Sequence, residues 1–386
     1  MSDSDKTDDK ALIESVESLL KNELDGNKPF NMAFNEAFNR ATKTKGPIPI
    51  PSLIKDQDPY EFEPCELLFF TDRSAYYDEQ EHWSDASIFE EHEAALTVIT
   101  DFDQLPVFKE LIGAIERRRV APFIGAGMSY ACGYPMWGEA LEKVKAKVGA
   151  VDEDAFQAAI DAYDYLEAAQ ILWDAGDVHL RNFIRTEFSD GRLPKGKVIG
   201  PALHLPRISF GCIVTTNFDP VIETVFDKKL DAYMHGVQEG HNFVSRLVKG
   251  QRCLLKLHGD AENHGSYIFT KQQYEDAYGN PFDFSKTLPK ALRQIFVSQS
   301  LLFLGCSLEN DKTLELFSHV CKSGDFEIPS HFAILPAPTD AANKTAKEKR
   351  LLDMNINPIW FPDGEFHLLE DLIHLLVDAS TKRIGV

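Results

Sequence analysis

The spacing of hydrophobic positions along the chain changes near residue 106. Before that point, apolar side chains recur at helical spacing, as in the stripe Phe30, Phe34 and Phe38. After it, short apolar runs alternate with segments of helical periodicity. These runs cover 120–124, 212–215, 253–257, 301–304, 331–335 and 358–361. Short hydrophobic strands alternating with helices predict an α/β fold whose parallel sheet is covered on both faces.

Helical periodicity predicts the elements that separate these strands. The predicted helices span 107–118, 220–230, 287–299, 312–322, 340–353 and 365–379. About 85 residues separate the first two strands, which is far more than one crossover helix needs. We therefore expect a helical module, inserted at about 137–208, between the first and second strands of the sheet.

Charge divides the chain at the same place as the hydrophobic pattern. The net charge is −21, and residues 1–105 contribute 24 acidic against 9 basic side chains. The remainder, 106–386, is close to balanced, with 37 acidic and 31 basic side chains. This asymmetry predicts an acidic N-terminal region followed by one larger domain. It also argues against direct nucleic-acid binding, because phosphate backbones are bound by clustered Lys and Arg.

Cysteine usage and the first residues indicate the compartment. The six cysteines contain no CxxC pair, so we expect reduced thiols and no zinc site. Residues 1–10 are acidic and polar, unlike a secretory signal, and predict a disordered tail. No apolar run reaches the ~18 residues that a transmembrane helix requires. The expectation is a cytoplasmic protein that does not enter a membrane.

A glycine-containing loop follows the first predicted strand. Gly125-Ala126-Gly127-Met128-Ser129 places two glycines where a strand would turn into a helix. Glycines there allow a tight turn and the close approach of a pyrophosphate. A dinucleotide-binding motif would have a third glycine at position 130, where this chain has Tyr130. A purely structural turn is therefore the alternative interpretation.

Three further loops with unusual residues follow the next three strands. They are Thr216-Asn217-Phe218-Asp219, then Leu257-His258-Gly259, then Gly305-Cys306-Ser307-Leu308. Asp219 and Pro220 are explained as N-cap and first residue of a helix, but Asn217 is not. A single histidine is usually structural. Because the carboxyl ends of parallel strands share one edge, the four loops together predict a nucleotide site.

The ordered set of four loops resembles the NAD-binding fingerprint of the sirtuins. Two departures separate this chain from protein-deacetylating sirtuins. Their four-cysteine zinc ribbon has no counterpart, and their Gly-Ile-Pro-Asp-Phe-Arg loop is echoed by Gly133-Tyr134-Pro135-Met136-Trp137-Gly138. The pattern is more similar to the bacterial sirtuin-like NADases of antiphage defence. Chain length and the acidic extension are similar to those of the sirtuin subunit that partners a HerA-like hexameric ATPase.

The resemblance implies a Rossmann-like sheet and an NAD glycohydrolase that uses NAD as its substrate, without zinc. It also implies a homo-oligomer and a HerA-like ATPase as partner. It assigns catalysis to Asn217, His258 and Asp219, as orienting amide, proton acceptor and electrostatic support. Its NAD-binding residues are Gly125, Ala126, Gly127 and Ser129 at the diphosphate, Gly305 and Ser307 at the adenosine, Trp137 over the nicotinamide, and Thr216. The alternatives are an NAD or ADP-ribose sensor, an assembly scaffold without turnover, or a protein deacylase.

Overall fold

The computed structural model describes residues 15–16, 18–226, 249, 251–309 and 312–386. The expected tail at 1–10 and the last four residues of the helix expected at 220–230 lie outside these residues. The chain packs as two compact units, Met1–Glu91 and His92–Val386. Among the described residues, no helix is both long and apolar enough to cross a bilayer.

The first unit is a small helical assembly around a phenylalanine-rich core. Residues 18–26 are helical and are followed by α1 (Lys28–Thr42), strands β1 (Ile48–Ile50) and β2 (Tyr60–Phe62), α2 (Pro64–Thr71) and α3 (Arg73–Glu91). The segment after α1 is extended, and β1 pairs with β2 in antiparallel orientation. Phe30 and Phe69 pack edge-on against Tyr76, with ring centroids 5.2 and 5.0 Å away. Phe30 is thus part of this core, whereas Phe34 and Phe38 of the same stripe are half-buried.

The second unit begins before the charge boundary at residue 106. It starts with α4 (Glu93–Asp101), which buries Ala95, Val98 and Ile99. This helix packs against elements near the C-terminus, so packing assigns it to the second unit although its surface is acidic. Charge follows the exposed side chains, whereas the unit boundary follows the buried ones.

Six parallel strands form the sheet of the second unit. They are β3 (Val120–Ile124), β4 (Cys212–Thr215), β5 (Cys253–Lys256), β6 (Ser300–Leu304), β7 (His331–Ala337) and β8 (Ile356–Pro362). Their spatial order is β5-β4-β3-β6-β7-β8. In order of appearance this is 3-2-1-4-5-6, the order of Rossmann-type dinucleotide-binding sheets. The predicted α/β Rossmann-like fold is confirmed.

The helices complete the predicted alternation. After α5 (Leu105–Glu116) and β3, a one-turn α6 (Gly127–Tyr130) precedes the helical insertion between β3 and β4. The insertion contains α7 (Trp137–Lys145), α8 (Glu153–Asp161), α9 (Tyr165–Glu187) and α10 (Leu205–Ile208), with short 3-10 turns between α9 and α10. The later helices are α11 (Val221–Val225), α12 (Lys271–Tyr278), α13 (Thr287–Ser298), α14 (Lys312–Ser323), α15 (Ala341–Leu352) and α16 (Leu368–Ser380). Every residue of β3, β4 and β5 is buried, as expected for strands covered on both faces.

Candidate active site

The four loops singled out in the sequence lie along one edge of the sheet. They follow β3, β4, β5 and β6, which are adjacent in the order β5-β4-β3-β6. From β3 the sheet grows in two directions: β4 and β5 lie on one side of β3, and β6, β7 and β8 lie on the other. The strand order therefore reverses at β3. A crevice forms at such a reversal of strand order, and ligands of open α/β sheets bind there. The structure therefore brings all four loops to one crevice.

The glycine loop after β3 packs directly on the loop after β6. The amide of Gly127 donates to the carbonyl of Gly305 at 3.0 Å, and that of Gly125 donates to Leu304 at 2.9 Å. A Cβ on Gly125 would lie 2.5 Å from the Gly305 carbonyl oxygen. Gly305 itself has φ +66°, and a Cβ there would lie 2.5 Å from the Met128 nitrogen. Close approach of the two loops thus requires these glycines, whether or not a diphosphate binds.

The helix expected to follow the glycine loop is shorter than the motif suggests. α6 has only four residues, Gly127–Tyr130, so its peptide dipoles sum over a single turn. A diphosphate at this loop would rely on individual backbone N–H groups rather than on a long helix. Assignment of Gly125, Ala126 and Gly127 to the diphosphate stays a prediction.

Asn217, Ser129 and Asp219 form one buried hydrogen-bond network. The Asn217 side-chain amide donates to the Gly125 carbonyl at 3.0 Å and to Ser129 Oγ at 3.1 Å. Ser129 Oγ in turn donates to Asp219 Oδ1 at 3.0 Å. Within the described residues, Asn217 Oδ1 is buried and accepts no hydrogen bond. Since buried polar atoms are normally paired, this oxygen is an acceptor available to a ligand or a water.

Asp219 does not cap the helix as its sequence context predicted. The N-cap of α11 is Pro220, and the Asp219 carboxylate instead accepts from the Val221 amide at 3.0 Å, two residues ahead. The Pro ring sets the turn, and the carboxylate is left facing Ser129. Complete burial raises the pKa of Asp219 to about 6, opposed by the Val221 amide and the nearby Lys256. A carboxyl with such a pKa changes its charge close to neutral pH.

His258 lies across the crevice from this network, beside aromatic rings. Its Nε2 is 2.7 Å from the Tyr274 hydroxyl, and its ring centroid is 5.5 Å from that of Trp137. Burial lowers the pKa of His258 to about 4, with the backbone of Thr216 opposing this shift. The imidazole is therefore neutral at physiological pH and able to accept a proton.

A small cavity lies between the network of Asn217, Ser129 and Asp219 and the ring of Trp137. Its polar wall is Ser129, Thr216, Asn217 and Asp219, and its aromatic wall is Tyr134, Trp137, Phe188 and Phe218. A wider cleft continues from Trp137 and His258 past Gly125 to Gly305 and Ser307. Every residue predicted for the site therefore lines this cavity or this cleft, or lies in a loop that forms them.

Comparison with known proteins identifies the sheet region. Residues 211–359 match the family model described as "SIR2-like domain". This part of the chain is similar to a SIR2-like domain. The SIR2-like match covers β4 to the middle of β8, and hence Asn217, Asp219, His258 and Gly305. Gly125 to Ser129 and Trp137 precede it, and the fold places them at the same crevice.

Three curated relatives agree with this domain. NAD(+) hydrolase ThsA of Acinetobacter baumannii is 27% identical over 56% of this chain and 42% of its own length. NAD(+) hydrolase ThsA of Bacillus cereus is 25% identical over 59% of this chain and 45% of its own length. Defense-associated sirtuin 2 of Bacillus subtilis is 22% identical over 64% and 24%, respectively. The chain therefore spans less than half the length of these relatives, and the predicted resemblance to sirtuin-like proteins is confirmed.

Two residues that contact the site were missed by sequence reasoning. Tyr274 bonds His258 from α12, and nothing in its sequence surroundings distinguishes it from a core tyrosine. Lys256 carries a stronger signal, because it is a charged residue in an otherwise apolar strand. It also lies only two residues before His258.

One cluster of the second unit, outside the residues that match the family model, has donors that suit a metal. Among the described residues, ligand atoms of His92, His374 and Asp378 lie within 4.8 Å of one another. Arg383 donates to both Asp378 carboxylate oxygens, at 2.9 and 3.1 Å, and His92 Nε2 lies 3.0 Å from one of them. The Asp378 oxygens are thus already used by protein donors. None of these residues belongs to the four loops.

Proposed function

We propose that this SIR2-like protein hydrolyses NAD to nicotinamide and ADP-ribose. The observation that carries the proposal is the meeting of Asn217, Ser129 and Asp219 with His258 and Trp137 at the reversal point of a dinucleotide-type sheet. Curated relatives of the domain are named NAD(+) hydrolases, which supports the same reaction. Because the chain spans only part of those relatives, their activity is carried over as a proposal.

The wider cleft beside Trp137 and His258, about 170 Å³ in volume, has room for a nicotinamide group, and the aromatic rings of Trp137 and Tyr274 in its lining suit a flat ring. The small cavity beside Asn217 is about 10 Å³ in volume, which is room for about one water. Asn217 Oδ1 offers an acceptor for this attacking water. Ionised Asp219 would favour the positive charge that develops on the ribose as the bond breaks.

The reaction is a displacement at the ribose C1′ carbon. The C1′–N bond breaks, and its electron pair passes to the pyridinium nitrogen, which leaves as neutral nicotinamide. A water oxygen bonds to C1′, and its proton moves to His258, which is neutral at physiological pH. The Tyr274 hydroxyl, 2.7 Å from His258 Nε2, holds the imidazole in place for this transfer.

The rest of the dinucleotide would follow the wider cleft. Gly125, Ala126 and Gly127 provide backbone beside the diphosphate, and Thr216 lies between them and His258. The cleft then reaches Gly305 and Ser307, where it meets a second hollow lined by Thr339 and Asn343. An adenosine at that end would extend NAD over the carboxyl ends of β3, β6 and β7.

We also propose that NAD depletion by this protein serves antiphage defence in the cytoplasm. The name of the Bacillus subtilis relative supports the defence role. Assembly as a homo-oligomer and with a HerA-like hexameric ATPase belongs to the same proposal, with the acidic residues 1–105 as the candidate assembly region. No direct nucleic-acid or membrane contact is proposed.

Nicotinamide release from NAD tests the reaction. Purified protein, alone and co-purified with a HerA-like ATPase, is incubated with NAD, and products are separated by chromatography. We expect nicotinamide and ADP-ribose in equal amounts, and their loss in Asn217→Ala. The matched control is Asn182→Ala, an exposed residue of α9. Tight NAD binding without nicotinamide release in either preparation would replace the hydrolase with a binding protein.

A further inference from the structure

Lys256 is a buried ammonium group beneath the loop that carries Asn217. It is the last residue of β5 and only 4% exposed. Its Nζ lies 3.0 Å from the Phe218 carbonyl and 3.0 Å from the Asp219 carbonyl. It also contacts Glu223 Oε1 at 2.8 Å and Asp260 Oδ2 at 3.0 Å. An ammonium has three N–H donors, so all of its hydrogen-bonding capacity is used at this place.

These four acceptors come from three different segments. The two carbonyls belong to the loop after β4, Glu223 belongs to α11, and Asp260 belongs to the loop after β5. Removing the ammonium would leave two carbonyls and two carboxylates without their common donor. The Phe218 carbonyl would keep its bond from the Ala261 amide, and the Glu223 and Asp260 side chains, 26% and 43% exposed, can turn to water. The Asp219 carbonyl would lose its donor from Lys256, and the loop after β4 would be held less firmly.

The first carbonyl that Lys256 contacts belongs to Phe218, the residue after Asn217. The backbone amide of Asn217 donates to Thr215 Oγ1 at 3.0 Å, and the Phe218 carbonyl also accepts from the Ala261 amide at 3.2 Å. Lys256 therefore fixes the chain on the far side of Asn217. A small shift of this loop would move the Asn217 side chain away from Gly125 and Ser129.

We propose that Lys256 is a positioning residue for the site, which holds the loop 216–219 in its active shape and balances the negative charge around Asp219. The proposal rests on the proposed NAD hydrolysis for its kinetic consequences, but not for its structural ones. It concerns a residue that touches no substrate and acts through Asn217 and Asp219.

The charged groups around Asp219 determine in which direction each substitution should shift the pKa of this carboxyl. Burial raises the pKa of this carboxyl, the Val221 amide, Lys256 and Ser129 lower it, and Glu223 raises it. The Tyr134 hydroxyl and the Cys132 thiol also face Asp219, and both are neutral near pH 7 because their pKa values are raised. The Asp260 carboxylate faces Lys256, with Oδ2 3.0 Å from Nζ. Loss of Lys256 should thus favour protonated Asp219, and loss of the Glu223 charge should favour the ionised form.

Three variants of the full chain test this inference. In Lys256→Met we expect kcat for nicotinamide release to fall about 10- to 100-fold, with a smaller change in KM, as for a misplaced catalytic group. The acid limb of its pH profile should move to higher pH. Glu223→Gln removes the charge of a partly exposed carboxylate, and the acid limb of its pH profile should move to lower pH. Lys256→Arg should keep the wild-type limb but regain only part of kcat, because a planar guanidinium cannot match the ammonium contacts.

The matched control is Lys271→Met, which removes an exposed lysine paired with Glu167 at 2.9 Å and should leave kcat and the limb unchanged. Hydrogen exchange gives a readout without turnover: amides of 216–221 should exchange faster in Lys256→Met, and those of β7 should not. Normal exchange at 216–221 in folded Lys256→Met overturns the proposal. If Lys256→Met does not fold, an unmoved acid limb in Glu223→Gln overturns it. If wild type releases no nicotinamide, hydrolysis is refuted, and the exchange result alone decides the role of Lys256.

Discussion

The two ends of the crevice are built differently. At the end formed by the loops after β4 and β5, Asn217, Asp219 and His258 are buried and held by hydrogen bonds of 2.7–3.1 Å. At the other end, Ser307 is exposed, and Lys347 and Arg350 contact the backbone and the Glu309 carboxylate beside it. Buried, pre-positioned groups suit bond breaking, whereas exposed ion pairs suit reversible binding. The comparison predicts that changes at the first end affect kcat and changes at the second affect KM.

The largest effect is expected at His258. His258→Ala should lower kcat for nicotinamide release about 10²–10⁴-fold, the usual contribution of one general base, with KM changed only a few-fold. Steady-state kinetics over a range of NAD concentrations separates the two parameters. The control His367→Ala changes an exposed histidine and should match wild type. A loss in kcat/KM that comes from a higher KM alone, with kcat unchanged, would contradict the division between the two ends.

The next effect is on the contact that joins the two ends. Gly125→Ala should destabilise the protein by about 1–3 kcal/mol, because its Cβ would lie 2.5 Å from the Gly305 carbonyl oxygen. Chemical denaturation measures the free energy of unfolding. Gly149→Ala is the control, since no atom lies within 4 Å of a Cβ built there. An unchanged unfolding midpoint for Gly125→Ala would mean that the two loops can separate without cost.

A pH dependence should distinguish the two acid–base groups at the buried end. Since burial raises the pKa of Asp219 to about 6, kcat/KM should fall as pH decreases through that value, because the carboxylate becomes neutral. His258, with its pKa lowered to about 4, should not contribute until lower pH. The profile of Asp219→Asn, which is neutral at every pH, should have lower activity and no limb near pH 6. A wild-type limb that persists in this variant would assign it to another group.

The smallest effect is expected at the exposed end. Glu309→Gln removes the carboxylate that Lys347 and Arg350 contact, so the Ser307–Glu309 segment should be held less firmly. The Lys347 side chain is only 9% exposed, but Glu309 is 40% exposed, so water can replace much of what the pair contributes. A pair that contributes about 1 kcal/mol corresponds to an increase in KM of about fivefold with kcat unchanged. Glu36→Gln, which removes an exposed pair with Arg40, serves as control. A fall in kcat instead would show that this end takes part in bond breaking.

The strands were predictable because each buried strand is a short run of apolar residues in the sequence. Val120–Ile124 and Cys212–Thr215 have the predicted bounds, and the other four sheet strands differ from prediction by a few residues at their ends. The helices inside the insertion were less predictable: within the module expected at about 137–208, one helix ends at Asp161 and the next begins at Tyr165. The break has a local signal, because Asp164 caps the second helix by accepting from the Glu167 amide at 3.1 Å, a pattern typical of a helix start.

Within the candidate site, the residues were visible in the sequence but their contacts were not. Asn217 is distinctive in the sequence because an amide at this strand end is not needed to start the following helix. Its bonds to Gly125 and Ser129 span 92 and 88 residues, and no local pattern encodes such distances. The same holds for Asp219, whose sequence context predicted a helix cap, and for Tyr274, which meets His258 only because α12 packs beside β5.

The sequence by itself determined the α/β alternation, the acidic first region and the order of four unusual loops, because periodicity, charge and glycine placement are local properties. Only the tertiary structure decided that β3 lies between β4 and β6, which brings the four loops to one crevice. It also decided which side chains are buried there, and burial is what raises the pKa of Asp219 and lowers that of His258. Both depend on contacts between residues far apart in the chain, and these form only when the sheet assembles.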